Sequence, residues 1–100
     1  MVSENAGVEK NEDRSVLLRV SASSDAAKLA SAIAHAVYDG KQVSLRAIGA
    51  GAVNQTSKGI AIAQSYVGSR GITLAARIGF TTVEMADGKV SALVYKILVD

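Results

Sequence analysis

From Ser15 onward the apolar positions follow a period of two, then a helical period, and back again. Val16, Leu18 and Val20 alternate with Leu17, Arg19 and Ser21, which predicts a strand with one wetter face. Ser23, Ser24 and Asp25 then offer helix N-caps. Behind them Ala26, Leu29, Ala30, Ile33 and Val37 recur at helical spacing, and Gly40 stands where a helix ends as its C′ residue. Residues 42–48 return to alternation, with Val43, Leu45 and Ala47 on one face. Gly49-Ala50-Gly51 breaks that strand. A second helix is expected from about Ala52 or Val53 to Val67, burying Val53, Ile60, Ala63 and Val67. Residues 72–80 read as a third strand, Asp87-Gly88 is a hairpin turn signal, and residues 90–99 supply the last strand.

The order is β-α-β-α-β-β. Each strand-helix-strand crossover is expected to be right-handed. Two crossovers advancing in one direction leave both helices on one face of the sheet and the other face open. The predicted fold class is an α/β two-layer sandwich with a mixed four-stranded sheet, its final strand antiparallel to the third. Residues 1–14 hold too few apolar groups to offset their ordering entropy and read as a disordered acidic N-terminal tail, with residues 15–100 as the domain.

Composition narrows the picture. The chain has 100 residues, of which 49% are apolar but only 4% aromatic, so its single core must be aliphatic. Cysteine is absent, which removes disulfides, thiolate zinc sites and thiol catalysis and fits a reducing compartment. No apolar run approaches the ~18 residues of a membrane span, and the start resembles no signal peptide, so a cytoplasmic location without membrane contact is expected. The net charge of +2 is unevenly placed: Glu4, Glu9, Glu12 and Asp13 outweigh Lys10 and Arg14, leaving residues 15–100 with nine basic and five acidic side chains. A mildly basic body suits attraction to polyanions without the dense basic stripe of a strong independent DNA binder.

The run Ala47-Ile48-Gly49-Ala50-Gly51-Ala52-Val53-Asn54-Gln55 resembles the signature of the stage V sporulation protein S family. Lys58-Gly59-Ile60-Ala61-Ile62-Ala63, Tyr66-Val67, Gly71-Ile72, Phe80-Thr81 and the early Leu18-Arg19-Val20-Ser21-Ala22 fit it too, so that the resemblance covers about residues 16–99. Through that family the chain is similar to the Alba superfamily of small chromatin and RNA proteins. The resemblance implies the Alba-like fold, shared with the C-terminal domain of translation initiation factor 3, with sheet order 1-2-4-3. It also implies nucleic acid (DNA or RNA) as partner, a homodimer or homotetramer, and a role in sporulation. Archaeal Alba proteins carry basic side chains at the loop entering the second helix and on a longer basic hairpin. Here the loop has Ala50 and Ala52, and residues 82–90 mix Glu84 and Asp87 with Lys89.

The chemistry-bearing candidates follow from position. Gly49 and Gly51 sit between a strand and a helix, where free backbone N–H groups and the helix dipole favour an anion; the alternative is a tight turn that packs helix on sheet. Asn54, Gln55 and Lys58 lie on the helix that follows and can add contacts to sugar or phosphate, or serve as caps and solvated surface. Lys41, Arg70 and Lys89 stand at other loops and complete the expected nucleic-acid-binding set. Arg19, Arg46, Arg77 and Lys96 fall in four different strands and share the open face if the registers agree; there they would meet phosphate, or acids across a subunit interface, or simply solvent.

Catalysis has no visible machinery. His35 is the only histidine and falls on the polar side of its helix. Asp25, Asp39, Glu84 and Asp87 form no pair of the kind hydrolases use. No serine occupies a nucleophile elbow. A dinucleotide fold is excluded because Asn54 stands where the third glycine of its fingerprint belongs. The sequence calls for no cofactor and no metal. The competing expectation is a regulatory protein-interaction module that keeps the fold with little nucleic-acid affinity.

Overall fold

A computed structural model of the chain describes the backbone of residues 8–10 and the whole of residues 14–100. Its elements are β1 (Val8–Lys10), β2 (Ser15–Val20), α1 (Ala26–Tyr38), β3 (Gln42–Ala47), α2 (Ala50–Gly68), β4 (Leu74–Met85) and β5 (Gly88–Val99). β2 and β3 pair in parallel, β3 and β5 antiparallel, and β4 closes the hairpin on the outer side of β5. The four main strands therefore lie in the order β2-β3-β5-β4, the 1-2-4-3 arrangement that the resemblance implied. The expected α/β sandwich, a mixed sheet with two helices on one face, is what the chain forms. The short β1 adds antiparallel to the exposed edge of β2, with Glu9 opposite Leu17. Val8–Lys10 thus forms regular structure inside the stretch expected to be a tail; a free strand edge offers it a ready ladder. The rest of residues 1–13 lies outside the described residues.

Alternation sends Val16, Leu18 and Val20 of β2, and Val43, Leu45 and Ala47 of β3, to the helix side, where all six are buried. Tyr95 and Ile97 of β5 join them, and Ala30, Ile33 and Val37 of α1 cover them. Fully buried aliphatic residues such as Ile33 and Leu45 each contribute about 1.5–3 kcal/mol of transfer free energy. The Asp25 carboxylate caps α1 by accepting from the N–H groups of Ala27 and Lys28. At the other end Gly40 adopts φ 73°, its N–H reaching the Val37 carbonyl while the Lys41 N–H reaches that of Ala36. This is the glycine-terminated Schellman stop read from the sequence.

Three boundaries depart from the alternation pattern. α2 begins at Ala50, two residues before the expected start, because Gly49 supplies the turn by itself. β4 continues past Phe80 to Met85, since the β-branched Thr81-Thr82-Val83 finds partners in Ala92, Ser91 and Val90. The expected short hairpin is accordingly two twelve-residue strands. The buried side of α2 is also rotated: Ala52, Thr56, Gly59, Ala63 and Val67 face inward, while Val53 and Ile60 are half-buried against the core. Helix contact decides this. A Cβ on Gly59 would lie 2.9 Å from the Leu29 side chain, so α1 and α2 meet at a small-residue seam. The buried Thr56 hydroxyl donates to the Ala52 carbonyl and leaves no unpaired polar group there.

Candidate nucleic-acid interface

β2 and β3 run in parallel, so both deliver their C-terminal ends to the same edge of the sheet, and each feeds a helix there. The two helix starts differ. α1 holds its own carboxylate, Asp25, over its first N–H groups. α2 begins at Gly49, which has no side chain to cap it, and its first turn contains no acidic residue. The first intrahelical bond runs from the Val53 N–H to the Gly49 carbonyl at 3.1 Å, so the N–H groups of Ala50, Gly51 and Ala52 lie outside the helical ladder. Gly49, Ala50 and Gly51 are all exposed. With the positive end of a nineteen-residue helix behind them, they form a local anion-attracting edge.

The two glycines there do different jobs. Gly49 takes φ 91° and ψ 158°, a region essentially closed to side-chain-bearing residues, and has open space around it. Gly51 has ordinary backbone geometry, but a Cβ placed on it would stand 2.6 Å from the Ala22 Cβ. It therefore packs the start of α2 onto the loop between β2 and α1. Gln55 is tied to the same loop, its amide donating to the Ser24 carbonyl at 2.8 Å. Asn54 is exposed and its amide lies 3.3 Å from the Gln55 side-chain oxygen. Lys58, one turn on from Asn54, is exposed on the same side of α2.

That loop adds a feature the sequence pattern did not single out as a site. Ser21, Ser23 and Ser24 bring their hydroxyls together, with Ser21 Oγ 3.1 Å from Ser23 Oγ and 3.4 Å from Ser24 Oγ. Because Gly51 presses against Ala22, this serine cluster borders the open start of α2. As a sequence, Ser21-Ala22-Ser23-Ser24 reads only as a helix approach; its neighbourhood to Gly51 is a tertiary fact.

The remaining sequence candidates separate into two ends. Lys89 is near the tip of the β4–β5 hairpin, which runs about 17 Å past the end of β3 on the same edge as Gly49, counting five residues from Leu93 to Gly88. It is exposed and within 3.7 Å of Glu84 on the paired strand. Lys41 and Arg70 are not part of this group. Lys41 precedes β3, opposite its Gly49 end, and lies 3.8 Å from Asp39. Arg70 follows α2, about 30 Å of helix away from Gly49, with its guanidinium over the Tyr38 ring at 4.4 Å. The structure thus brings together Gly49, Gly51, Asn54, Gln55 and Lys58, sets Lys89 on an arm above them, and leaves Lys41 and Arg70 at the far end. His35 is exposed on α1, as its helical position predicts.

A groove lined by Val37, Gly40, Lys41, Gln42, Ile97, Leu98 and Val99 lies at that far end, against the N-terminal end of β3. Among the described residues no three His, Asp or Glu side chains converge to hold a metal ion, and no helix is long and apolar enough to cross a membrane. Compared with known families, residues 16–100 match the family model described as Stage V sporulation protein S (SpoVS).

Proposed function

The chain belongs to the stage V sporulation protein S family, whose members are regulators of sporulation, and from that premise we propose that it acts by binding nucleic acid in the cytoplasm without catalysing a reaction. The observation that carries the proposal is the open start of α2. Three backbone N–H groups lack helical acceptors, the flanking Gly49 and Gly51 keep side chains out of the way, and Lys58 supplies a cation on the same face. Phosphate oxygens meet those donors, while Asn54 and the serine loop border the contact. Backbone contacts of this kind position a nucleic acid without reading its bases, so the binding is weakly sequence-dependent and strongly salt-dependent.

Titration of duplex DNA and of RNA at 50 and 200 mM salt tests it. Lys58→Ala removes one phosphate contact and lowers the salt slope by about 0.9, equally across sequences. Absence of binding at low salt, or binding indifferent to salt, overturns the reading.

A second reading, a protein-interaction module with little nucleic-acid affinity, is favoured by one observation. Ile78 and Phe80 of β4 are 57% and 83% exposed, on a strand paired with β5 on one side and, among the described residues, with no strand on its outer edge. We assign that strand to self-association into a dimer or tetramer. Recovery of a defined heterologous protein from nuclease-treated extract, with no nucleic-acid binding by the purified chain, would favour the module over the binder.

A further inference from the structure

The registers settle which charges share the open face of the sheet. Strands β2–β5 hold six charged residues: Arg19, Arg46, Arg77, Glu84, Lys89 and Lys96. Glu84 and Lys89 are paired with each other and lie on the helix-side parity. The other four are all basic, and all lie on the face opposite the helices. Arg19 and Arg46 alternate with the buried Leu18, Val20, Leu45 and Ala47, and Lys96 with the buried Tyr95 and Ile97. Arg77 is the register partner of Lys96. No acid of β2–β5 shares that face; Glu9 of β1, opposite Leu17, has the same parity at the sheet's edge, and Asp100 stands one residue past β5, beside Thr73.

The four cations are arranged, not scattered. Arg19 pairs in register with Arg46, and Lys96 with Arg77. Lys96 also pairs with Ser44, two residues before Arg46, so the second couple sits one step lower and further across the sheet. With strands about 4.8 Å apart and residues about 3.3 Å apart along them, the centres of the two couples are about 12 Å apart. Like charges directly opposite each other destabilise a sheet. Arg19 makes a further contact of its own, but Arg46, Arg77 and Lys96 have no ion-pair or hydrogen-bond partner among the described residues. A face that sets cations side by side in this way is matched to an anion supplied from outside.

We infer that this open sheet face is a second nucleic-acid contact surface, on which the Arg19–Arg46 and Lys96–Arg77 couples engage phosphates of duplex DNA on either side of a groove. The occupant follows from the geometry. The separation of the couples equals the ~12 Å width of the B-form major groove, whereas the major groove of duplex RNA is narrow. Single strands are disfavoured because the face carries no aromatic residue for base stacking: Phe80 and Tyr95 have the other parity, and Tyr38 and Tyr66 are on the helices. Between the couples lie Ser44 and Val94, the register partners of Lys96 and Arg46, neither of them charged or aromatic.

The inference rests on the proposed nucleic-acid function and adds a separate surface to it. Its test is the triple variant Arg46→Gln, Arg77→Gln, Lys96→Gln in the full chain, titrated beside the wild type and Lys58→Ala with one duplex DNA and the matching duplex RNA. Loss of three phosphate contacts lowers the salt slope by about 2.7, which narrows the ratio of affinities at 50 and 200 mM by about 40-fold. Thermal unfolding of the triple variant is expected at or above the wild-type temperature, because the substitutions relieve like-charge repulsion. A companion variant, Arg46→Lys with Arg77→Lys, keeps the charges and is expected to retain the slope. Wild-type binding that weakens in Lys58→Ala but is unchanged in the triple variant overturns the open-face surface alone. Preference for duplex RNA, with the triple variant affecting only that, overturns the assignment to DNA. No binding by the wild type removes the nucleic-acid function and this surface with it.

Discussion

At the residue scale, the two glycines before Asn54 show how one motif serves two physical ends. Both stand out in the sequence, and the loop they make is legible from their position between a strand and a helix. What the sequence does not carry is the division of labour, because it depends on a backbone angle at Gly49 and on Ala22, which is 29 residues from Gly51 in the chain. The two substitutions therefore separate. Gly49→Ala forces a side chain into φ 91° and is expected to cost about 1–3 kcal/mol through backbone strain, with the core contacts untouched. Gly51→Ala drives a methyl group to 2.6 Å from Ala22 Cβ and is expected to cost about 1–3 kcal/mol as overpacking. Urea unfolding of both variants, each alone and each combined with Ala22→Gly, measures this. The second substitution on Ala22 should recover most of the Gly51→Ala loss and none of the Gly49→Ala loss. Equal recovery of both would mean that the loop is strained as a unit.

At the element scale, strands were more legible than their lengths, and helices more legible than their contact faces. The alternation in β2 and β3 and the Gly40 stop of α1 follow directly from local pattern. The buried side of α2 does not, because Thr56 and Gly59 look polar or neutral in sequence yet form the seam with α1. The start of β4 is likewise held by a tertiary device: Gln64 donates to the Ile72 carbonyl at 2.9 Å and accepts from the Leu74 N–H at 2.7 Å. The longer hairpin has a consequence at its outer edge. β4 offers an unpaired ladder with Ile78 and Phe80 exposed, which is an aggregation hazard for a monomer and an asset for an oligomer. Phe80→Ser is expected to shift the solution mass downward, toward monomer, while leaving thermal unfolding of the dilute protein nearly unchanged, since Phe80 contributes little burial within its own chain. Sedimentation across a concentration series measures it. An unchanged mass would place the subunit contact elsewhere.

At the scale of the whole molecule, the two candidate surfaces lie close together. Arg19 and Arg46 are each the last residue but one of their strands, and those strands end at the edge that carries the serine loop and Gly49. The open face and the start of α2 therefore meet around one rim of the sheet, with the β4–β5 arm rising beside it. The four strand cations were visible in the sequence as residues of suitable parity. Their grouping into two couples was not, because the offset between β3 and β5 is fixed by the Ser44–Lys96 register and no local signal encodes it. Lys41 and Arg70 failed as partners of Gly49 for a related reason: a strand and a helix each carry the chain from one end of the domain to the other. Proximity around the rim predicts how the surfaces cooperate. If one duplex wraps from the start of α2 onto the open face, Lys58→Ala and Arg46→Gln weaken binding additively in free energy, and each protomer takes up a single duplex segment. If the surfaces grip separate duplexes, each substitution abolishes one class of sites, and the stoichiometry at saturation falls from two segments per protomer to one. Titration calorimetry with a short duplex distinguishes the cases, and the shared rim predicts the first.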